Sequence, residues 1–160
     1  MKRLSMLLVA GMLLFVPALA FASNGDTLNI GGQVPLVLDL TVTPVGNYDD
    51  LPLSGSVTVN QTIATVEVHT NNKLGWELWI YGANSVGAQS FLESADGDTL
   101  EYTLTFGATT SGVDAGGRKF GEDTADIVAP GTDLEINYTQ LPDLKAGYYS
   151  DQLSIVLRAK

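Results

Sequence analysis

Side chains that could perform acid–base or nucleophilic chemistry are few in this chain. His69 is the single histidine and there is no cysteine. The alternation around Glu67 predicts that this histidine faces outward from a strand. A lone imidazole there is more often an exposed residue without a catalytic role than a general base. No serine lies in a Gly-x-Ser-x-Gly elbow, and no glycine-rich phosphate loop leads from a strand into a helix. The sequence therefore predicts that the protein is not an enzyme.

Carboxylates supply most of the remaining polar chemistry. Pairs such as Asp49-Asp50 and Glu122-Asp123 fall in polar loops, where solvation is their ordinary role. Calcium takes six to eight oxygen ligands, but no twelve-residue EF-hand spacing occurs, and Asp96-Gly97-Asp98 is better explained as a turn. We predict no metal site and no cofactor.

Two aromatic residues are the better candidates for recognition. Trp79 and Tyr81 stand two apart, on the strand face opposite Leu78 and Ile80. If the latter two point into the core, two large rings lie side by side on the surface, and exposed aromatic residues mark partner or sugar recognition. The alternatives are that a loop such as 107–126 covers the rings, or that the two faces are reversed.

The N-terminal segment has the features of an export signal. Lys2 and Arg3 precede an apolar run over 4–19, and small residues flank a cleavage site after Ala22. A membrane anchor is the alternative, but the run is at the short end of the roughly 20 residues that span a bilayer, and Pro17 interrupts it. We predict a signal peptide over 1–22 and one secreted, periplasmic or cell-surface domain over 23–160.

The charge balance excludes two classes of partner. The chain has a formal net charge of −10, and loss of the basic signal segment makes the remainder still more acidic. Nucleic acids require a cationic surface, and so do anionic membranes. We therefore predict no nucleic-acid partner and no stable membrane insertion after cleavage. A domain of this length can bury enough core to be stable without disulfides.

Apolar residues recur with a period of two and are separated by turn residues, which is typical of strands; no helical period is present. Run by run, the apolar residues that share one strand face are Leu28, Ile30, Val34, Leu36, Leu38, Leu40 and Val42; Ala64, Val66 and Val68; Trp76, Leu78 and Ile80; Leu100, Tyr102, Leu104 and Phe106; Leu134, Ile136 and Tyr138; and Leu153, Ile155 and Leu157. The runs at 64–68 and 100–106 are predicted to point inward, and Gly31-Gly32 and Pro35 are expected to divide the first run or to mark a bulge. Seven to eight such strands favour an all-β, immunoglobulin-like antiparallel sandwich. An up-and-down barrel is the structural alternative.

Two further segments carry specific expectations. Residues 107–126 contain five glycines and are predicted to form a long irregular loop, which in a compact domain is usually functional or mobile. Residues 146–157 are predicted to form one long final strand close to the C-terminus. At its start, Tyr149 is similar to a tyrosine corner, and Asp151 is placed to cap backbone N–H groups of a loop. Both are expected to be structural.

Three segments together carry a family resemblance. They are the alternating run Ile30-Gly31-Gly32-Gln33-Val34 through Leu38-Asp39-Leu40-Thr41-Val42; the sequence Val66 to Asn71 with Gly75 to Leu78 and Leu100 to Leu104; and Ala146-Gly147-Tyr148-Tyr149-Ser150-Asp151. In this order they resemble the spore coat protein U domain and the related archaic chaperone–usher pilin subunits. The last segment is similar to the Ala-Gly-x-Tyr-Ser-Asp motif of that family. The chain departs from the family in having no cysteine and in ending its last strand without an aromatic residue.

The resemblance implies a sandwich that lacks its final strand. A strand from a periplasmic chaperone, and later the N-terminal strand of a neighbouring copy, would then fill the hydrophobic gap. Leu28, Ile30, Val34 and Leu36 would be the residues donated. The alternative is that residues 27–42 are simply the first strands of a complete sandwich, since unpaired edges promote aggregation.

Two functions follow as expectations. The first is an exported, non-enzymatic structural subunit of a pilus-like or surface-coat assembly, whose partners are copies of itself or a chaperone. The second is a monomeric periplasmic or extracellular module that binds a glycan or a protein through Trp79, Tyr81 and the 107–126 segment.

Overall fold

Strands make up all the regular structure that a computed structural model describes in residues 30–123 and 129–160. The chain divides into two compact units, Met1–Gln33 and Val34–Lys160, and the fold set out below is that of the second. The predicted signal peptide and Leu28 lie outside the described residues. Within those two ranges, no helix has the length and apolar character needed to cross a membrane.

The described residues form two antiparallel sheets. The strands are β1 (Leu38–Pro44), β2 (Thr58–Thr70), β3 (Trp76–Gly82), β4 (Ser85–Val86), β5 (Gln89–Ser94), β6 (Thr99–Phe106), β7 (Thr109–Ser111), β8 (Arg118–Asp123), β9 (Ala129–Thr139), β10 (Tyr149–Ser150) and β11 (Leu153–Ala159). The large sheet has the order β1-β2-β9-β6-β5-β10, with β4 beside β5 and β7 beside β6, and the small sheet has the order β11-β3-β8.

The predicted all-β antiparallel sandwich is confirmed. Three of the strands, β4, β7 and β10, have only two or three residues, and the other eight match the number expected from the sequence. The sheets are separate and each ends in edge strands, so the arrangement is not the closed barrel that the sequence left as an alternative.

The core lies between the sheets and consists of the residues that the alternation places inward. Its members are Ala64, Val66 and Val68 of β2; Trp76, Leu78 and Ile80 of β3; Leu100, Tyr102, Leu104 and Phe106 of β6; and Leu134, Ile136 and Tyr138 of β9, with Leu92, Val113, Phe120 and Tyr149. Burial of such side chains from both inner faces is the main stabilising contribution in a sandwich.

Strand β2 is longer than the sequence predicts. The alternation of Ala64, Val66 and Val68 indicates a short strand, whereas the observed strand runs from Thr58 to Thr70. A bulge between Thr62 and Ala64 shifts its register against β9. Because an extra residue reverses which positions face inward, Val59 can pack on the core before the bulge and Ala64 after it.

The prediction of an irregular loop over 107–126 is wrong for 109–111 and 118–123, and its last three residues lie outside the described part of the chain. β7 and β8 lie within it, and Val113 and Phe120 are core residues. A Cβ on Gly112 would collide with the carbonyl of Ala88, so this glycine allows a close backbone contact. The glycines reflect tight packing rather than the irregularity that they suggest in the sequence.

The predicted single strand over 146–157 is also wrong, although the inward phase of its second half is right. Tyr149–Ser150 pairs with β5 in the large sheet, whereas Leu153–Ala159 pairs with β3 in the small sheet. The chain crosses between the sheets at Asp151 and Gln152. This crossing brings the last strand to an edge of the small sheet.

Candidate functional site

Two edge strands from different sheets face each other, and neither fully buries its inward side chains. On β11, Leu153, Ile155 and Leu157 pack against the core but are only half-buried. On β1, Leu38 and Leu40 are also half-buried, and Val42 is exposed. β1 and β11 lie in contact with each other. The core is therefore incompletely covered along the line where they meet.

The open edge of β11 carries backbone groups that its partner does not use. The Gln152 carbonyl accepts from the Ala83 N–H at 3.1 Å, and the Lys160 N–H donates to the Gly75 carbonyl at 3.1 Å. Even-numbered residues therefore direct their backbone groups toward β3. Because these directions alternate along a strand, Leu153, Ile155 and Leu157 direct theirs toward the open edge.

The open edge of β1 follows the same rule. The Val45 N–H donates to the Ile63 carbonyl at 3.0 Å, and the Asn71 N–H donates to the Val37 carbonyl at 3.3 Å, so odd-numbered residues face β2. The backbone groups of Leu38, Leu40 and Val42 consequently point away from the sheet. Pro44 has no N–H to leave unpaired there, which is the usual position for proline on an edge.

A groove of about 490 Å³ lies between these edges. Its walls are Val42 and Pro44 on one side and Leu153 and Ile155 on the other. Its floor is made of core residues: Leu92, Tyr102, Leu134 and Ile136. Residues 48–51 and 53 form part of its rim. The groove offers an apolar floor flanked by free backbone donors and acceptors, which is the chemistry that an added strand requires.

The polar end of the groove is an anchor built around Asp151. Its Oδ2 accepts a 2.6 Å hydrogen bond from the Tyr102 hydroxyl, and its Oδ1 accepts from the backbone N–H groups of Asn84 at 2.8 Å and Gln152 at 2.7 Å. Burial, and then the contact with Asp151, raises the pKa of Tyr102 far above its ordinary value. The hydroxyl therefore remains a donor at any physiological pH. This anchor holds the crossing between β10 and β11.

Tyr149 lies in β10, two residues before Asp151, where the chain crosses between the sheets. Its ring is buried, and its hydroxyl donates to the Lys145 carbonyl at 3.0 Å. The Lys145 ammonium in turn pairs with Asp98 at 2.7 Å, and this hydrogen bond raises the pKa of the lysine. The geometry ties the segment before β10 to the turn between β5 and β6. A structural role for Tyr149 and Asp151 stays a prediction.

The predicted donor residues lie before β1. Leu28 is outside the described residues, and β1 begins only at Leu38, so residues 30–37 belong to no strand. Ile30, Val34 and Leu36 expose 88%, 81% and 58% of their surface. An apolar run with this exposure has no partner surface among the residues described here.

Trp79 and Tyr81 occupy the outer face of β3, opposite Leu78 and Ile80, and both are half-buried. The guanidinium carbon of Arg158 lies 4.6 Å from the centre of the Trp79 ring and 5.8 Å from that of Tyr81, and Arg158 donates to the Tyr81 hydroxyl. A Cβ on Gly117 would collide with the Tyr81 ring. The rings are thus partly covered by β11 on one side and by the chain before β8 on the other.

A ladder of charges crosses the same outer face. Glu77 pairs with Lys119 at 3.5 Å, Lys119 with Glu122 at 3.2 Å, and Glu122 with Lys160 at 2.6 Å. The Trp79 N–H, which donates to Glu77, is the main cause of that carboxyl's lowered pKa, and the Lys160 hydrogen bond is the main cause for Glu122. The ladder connects β3, β8 and Lys160, the residue that follows β11.

His69 lies on the opposite side of the molecule, on the outer face of β2. Its Nδ1 is 3.9 Å from Asp39, and both side chains are largely exposed. Across residues 30–123 and 129–160, no three His, Asp or Glu side chains are grouped so as to hold a metal ion.

Sequence reasoning missed several residues that shape the groove. Tyr102, part of the groove floor, was predicted only as core. Asn71 and Asn72 also stand out, because their side chains bind the chain just before β1 and the residue just after β11. The pair Asn71-Asn72 before Gly75 is the one local signal, because asparagine often hydrogen-bonds neighbouring backbone in turns.

Comparisons with known proteins identify no family for this chain. No protein-family model matches the chain, and no curated protein matches it. Among solved structures it is similar to the crystal structure of the E. coli Hda pilus minor tip subunit, HdaB, at 16% identity and a TM-score of 0.40, covering 74% of this chain and 79% of that one. A likeness this loose carries no argument about function.

Proposed function

We propose that this protein is an exported, non-enzymatic structural subunit of a pilus-like or surface-coat assembly, whose copies join by strand addition. The observation that supports this proposal is the apolar groove between the open edges of β1 and β11. A strand laid in the groove would pair with free backbone groups and cover Leu153 and Ile155, which are half-buried without it.

The proposed occupant is the N-terminal segment of a second copy. Its apolar residues Leu28, Ile30, Val34 and Leu36 share one parity, which matches the period of two along β11. Residues 27–38 carry no charge, so they would not be repelled by Asp49 and Asp50 at the groove rim. The exposed side chains of Ile30 and Val34 would become buried on insertion.

The connection to β1 favours insertion into another copy over insertion into the same chain. The side chain of Asn71 binds the Pro35 carbonyl at 2.8 Å and the Val37 N–H at 2.7 Å. Leu36 is therefore held between these two contacts, directly before β1. Because Leu36 is only two residues before Leu38, a strand that includes it cannot turn back beside its own β1, whereas after release from Asn71 it can enter the groove of a neighbour.

A periplasmic chaperone that presents an extended apolar strand is the second class of partner for the same groove. Strand addition is driven mainly by backbone pairing and apolar pockets, so it does not require a unique sequence. Such a partner would cover the open edges before assembly, when they would otherwise promote aggregation.

Complementary variants test the proposal. Leu153→Arg places a charge in the groove but leaves the donor segment intact, whereas Ile30→Asp with Val34→Asp disables the donor but leaves the groove intact. We expect the exported wild-type chain to form a ladder of oligomers on size exclusion, and each variant alone to stay monomeric. An equimolar mixture of the two variants should form dimers and nothing larger, because only one donor and one groove remain.

Matched controls use the opposite strand faces. Ser154→Arg lies on the outer face of β11, and Gln33→Asp has the opposite parity to the donor residues; both should assemble like the wild type. A wild-type chain that stays monomeric, with no dimers in the mixture, would disprove the proposal.

A secreted or periplasmic location is part of the same proposal. Mass spectrometry of the exported protein should give a chain that begins at Ser23, after cleavage behind Ala22. A chain that begins at any earlier residue would contradict the proposed signal peptide over 1–22 and the single domain over 23–160.

The second candidate is a monomeric module that binds a glycan or a protein. It is favoured by the placement of Trp79 and Tyr81 on one outer face with Arg158 between them. A monomeric wild-type chain whose partner or glycan binding is lost in Trp79→Ala would support it.

A further inference from the structure

The groove has one end at which its two walls are tied together. At this end, the turn from Thr70 to Gly75 lies between β2 and β3, and it contacts both the start of β1 and the end of β11. The groove itself reaches Val42 and Ile155, but among the described residues its lining does not extend to Leu38 or Leu157. The groove therefore ends before it reaches this turn, and we call its other end, near Val42 and Leu153, the wide end.

Asn71 holds the β1 wall. Its Oδ1 accepts from the Val37 N–H at 2.7 Å, and its Nδ2 donates to the Pro35 carbonyl at 2.8 Å. The buried hydroxyl of Thr70 adds a 2.9 Å hydrogen bond to the Val37 carbonyl. The chain entering β1 is thus gripped by three side-chain hydrogen bonds at one point.

Asn72 holds the β11 wall. Its Nδ2 donates to the Gly75 carbonyl at 2.7 Å and to the backbone oxygen of Lys160 at 3.2 Å. Gly75 has a positive φ of 91°, which favours glycine, and its carbonyl also accepts from the Lys160 N–H. Adjacent asparagines therefore bind the chain that leads into β1 and the residue that follows β11.

At the wide end of the groove, the walls are anchored separately. β1 continues into the loop over 45–53, whose Pro52 carbonyl accepts from the Tyr138 hydroxyl at 3.2 Å in the large sheet. β11 is preceded by the Asp151 anchor to Tyr102. Neither contact joins β1 to β11, so an incoming strand can part the walls there without breaking a hydrogen bond between them.

We propose that Asn71 and Asn72 form a clasp that sets how far an added strand can penetrate, and so how many of its residues are bound. This inference rests on the strand-addition function proposed above. With the clasp closed, the strand pairs with β11 along Leu153 and Ile155. Pairing at Leu157, which a donor with four apolar residues needs, requires release of β1 from Asn71.

Amide hydrogen exchange tests the clasp. The full exported chain carrying Ile30→Asp and Val34→Asp is used, so that no copy supplies its own donor. The probe is a synthetic peptide with the sequence of residues 27–37. We expect it to slow exchange at the Leu153 and Ile155 amides and to leave Leu157 unchanged. Adding Asn71→Ala should slow exchange at Leu157 about tenfold when the peptide is bound.

Further variants separate the clasp from a general loss of structure. Asn71→Asp keeps an acceptor for the Val37 N–H but loses the donor to Pro35, so it should give a smaller effect at Leu157 while disturbing the fold less. Asn60→Ala, an exposed asparagine on β2, should behave like the parent chain.

The outcomes distinguish the two proposals. If the peptide slows exchange at Leu157 equally with and without Asn71→Ala, the clasp is disproved and strand addition stands. If the peptide protects none of the three amides in either chain, strand addition into this groove fails, and the clasp fails with it.

Discussion

Strands β3 and β11 lie side by side in the small sheet and carry the same alternation, yet their burial differs. Leu78 of β3 is paired in register with Leu157 of β11. Leu78 is completely buried, whereas Leu157 is half-buried. A leucine on the same face of adjacent strands is therefore a core residue in β3 and only partly covered in β11.

The difference lies in the neighbours of each strand and not in the strand itself. β3 has β11 on one side and β8 on the other, whereas β11 has a strand on one side alone within the described fold. An alternating sequence determines which face of a strand is apolar, but burial requires a neighbour to cover it. The open side of β11 is where a second chain could act as that neighbour.

The largest effect expected from this comparison comes from a matched pair of truncations. Leu78→Ala removes a fully buried side chain and should destabilise the domain by roughly 2–5 kcal/mol. Leu157→Ala removes a half-buried one and should cost less than about 2 kcal/mol, because part of its surface already contacts water. Urea unfolding monitored by tryptophan fluorescence measures both.

The contrast between the strands would be disproved if both truncations lowered the free energy of unfolding equally, since β11 would then be as well covered as β3. Leu153→Ala provides a second check at the wide end of the groove. The loss of unfolding free energy caused by Leu153→Ala should be larger when the peptide of residues 27–37 is bound, because the added strand buries Leu153.

The next effect concerns the start of β11. Asp151→Ala leaves the Tyr102 hydroxyl and the N–H groups of Asn84 and Gln152 without their acceptor. We expect a loss of about 1–3 kcal/mol of stability. Exchange at the amides of β11 should rise more than at those of β3, which hydrogen-exchange NMR can resolve. Equal increases on both strands would show that Asp151 does not act as a local anchor.

A smaller effect is expected on the outer face that the two strands share. Arg158→Ala removes the guanidinium stacked on Trp79 and the contact with Tyr81. A cation–π contact of this kind contributes roughly 0.5–1 kcal/mol at exposed sites. Arg158→Lys should restore only part of the loss, and a shift in Trp79 fluorescence should accompany both changes. An unchanged spectrum would contradict the stacked geometry.

The smallest effect is a pH dependence of the charge ladder. The pKa values of Glu77 and Glu122 are lowered below 4.5 in the folded protein. Their contribution to stability is therefore complete above the unfolded-state pKa and is lost as pH falls through the lowered values. A double variant, Glu77→Gln with Glu122→Gln, should unfold at lower urea than wild type at about pH 6, and the difference should vanish near about pH 3. A difference that persists at low pH would rule out ionisation of these two groups as its origin.

The sequence was enough to predict which residues of a strand share a face. It was not enough to predict where a strand is bulged or interrupted. Leu100, Tyr102 and Leu104 point inward as expected because a period of two has a single buried solution. The bulge after Thr62 and the crossing at Asp151 leave no such pattern. Each depends on pairing with a strand far away in the sequence, which local alternation does not report.

The groove could be anticipated only as a question about what lies beside Leu153, Ile155 and Leu157. Its shape depends on where β1 and β11 lie relative to each other, and each of these strands is positioned by pairing with a strand of a different sheet, β2 or β3. The preference of asparagine for turns explains why Asn71 and Asn72 occur between β2 and β3. It does not predict which backbone groups their side chains bind.

The register of the small sheet also has a consequence for the order of folding. Leu78 and Leu157 are partners although about half the chain separates them, and contacts of such long sequence separation form late and slowly. The groove has no second wall until β11 has docked on β3. Under the proposed function, a chain in which β11 has not yet docked on β3 could therefore not accept a strand from a neighbour.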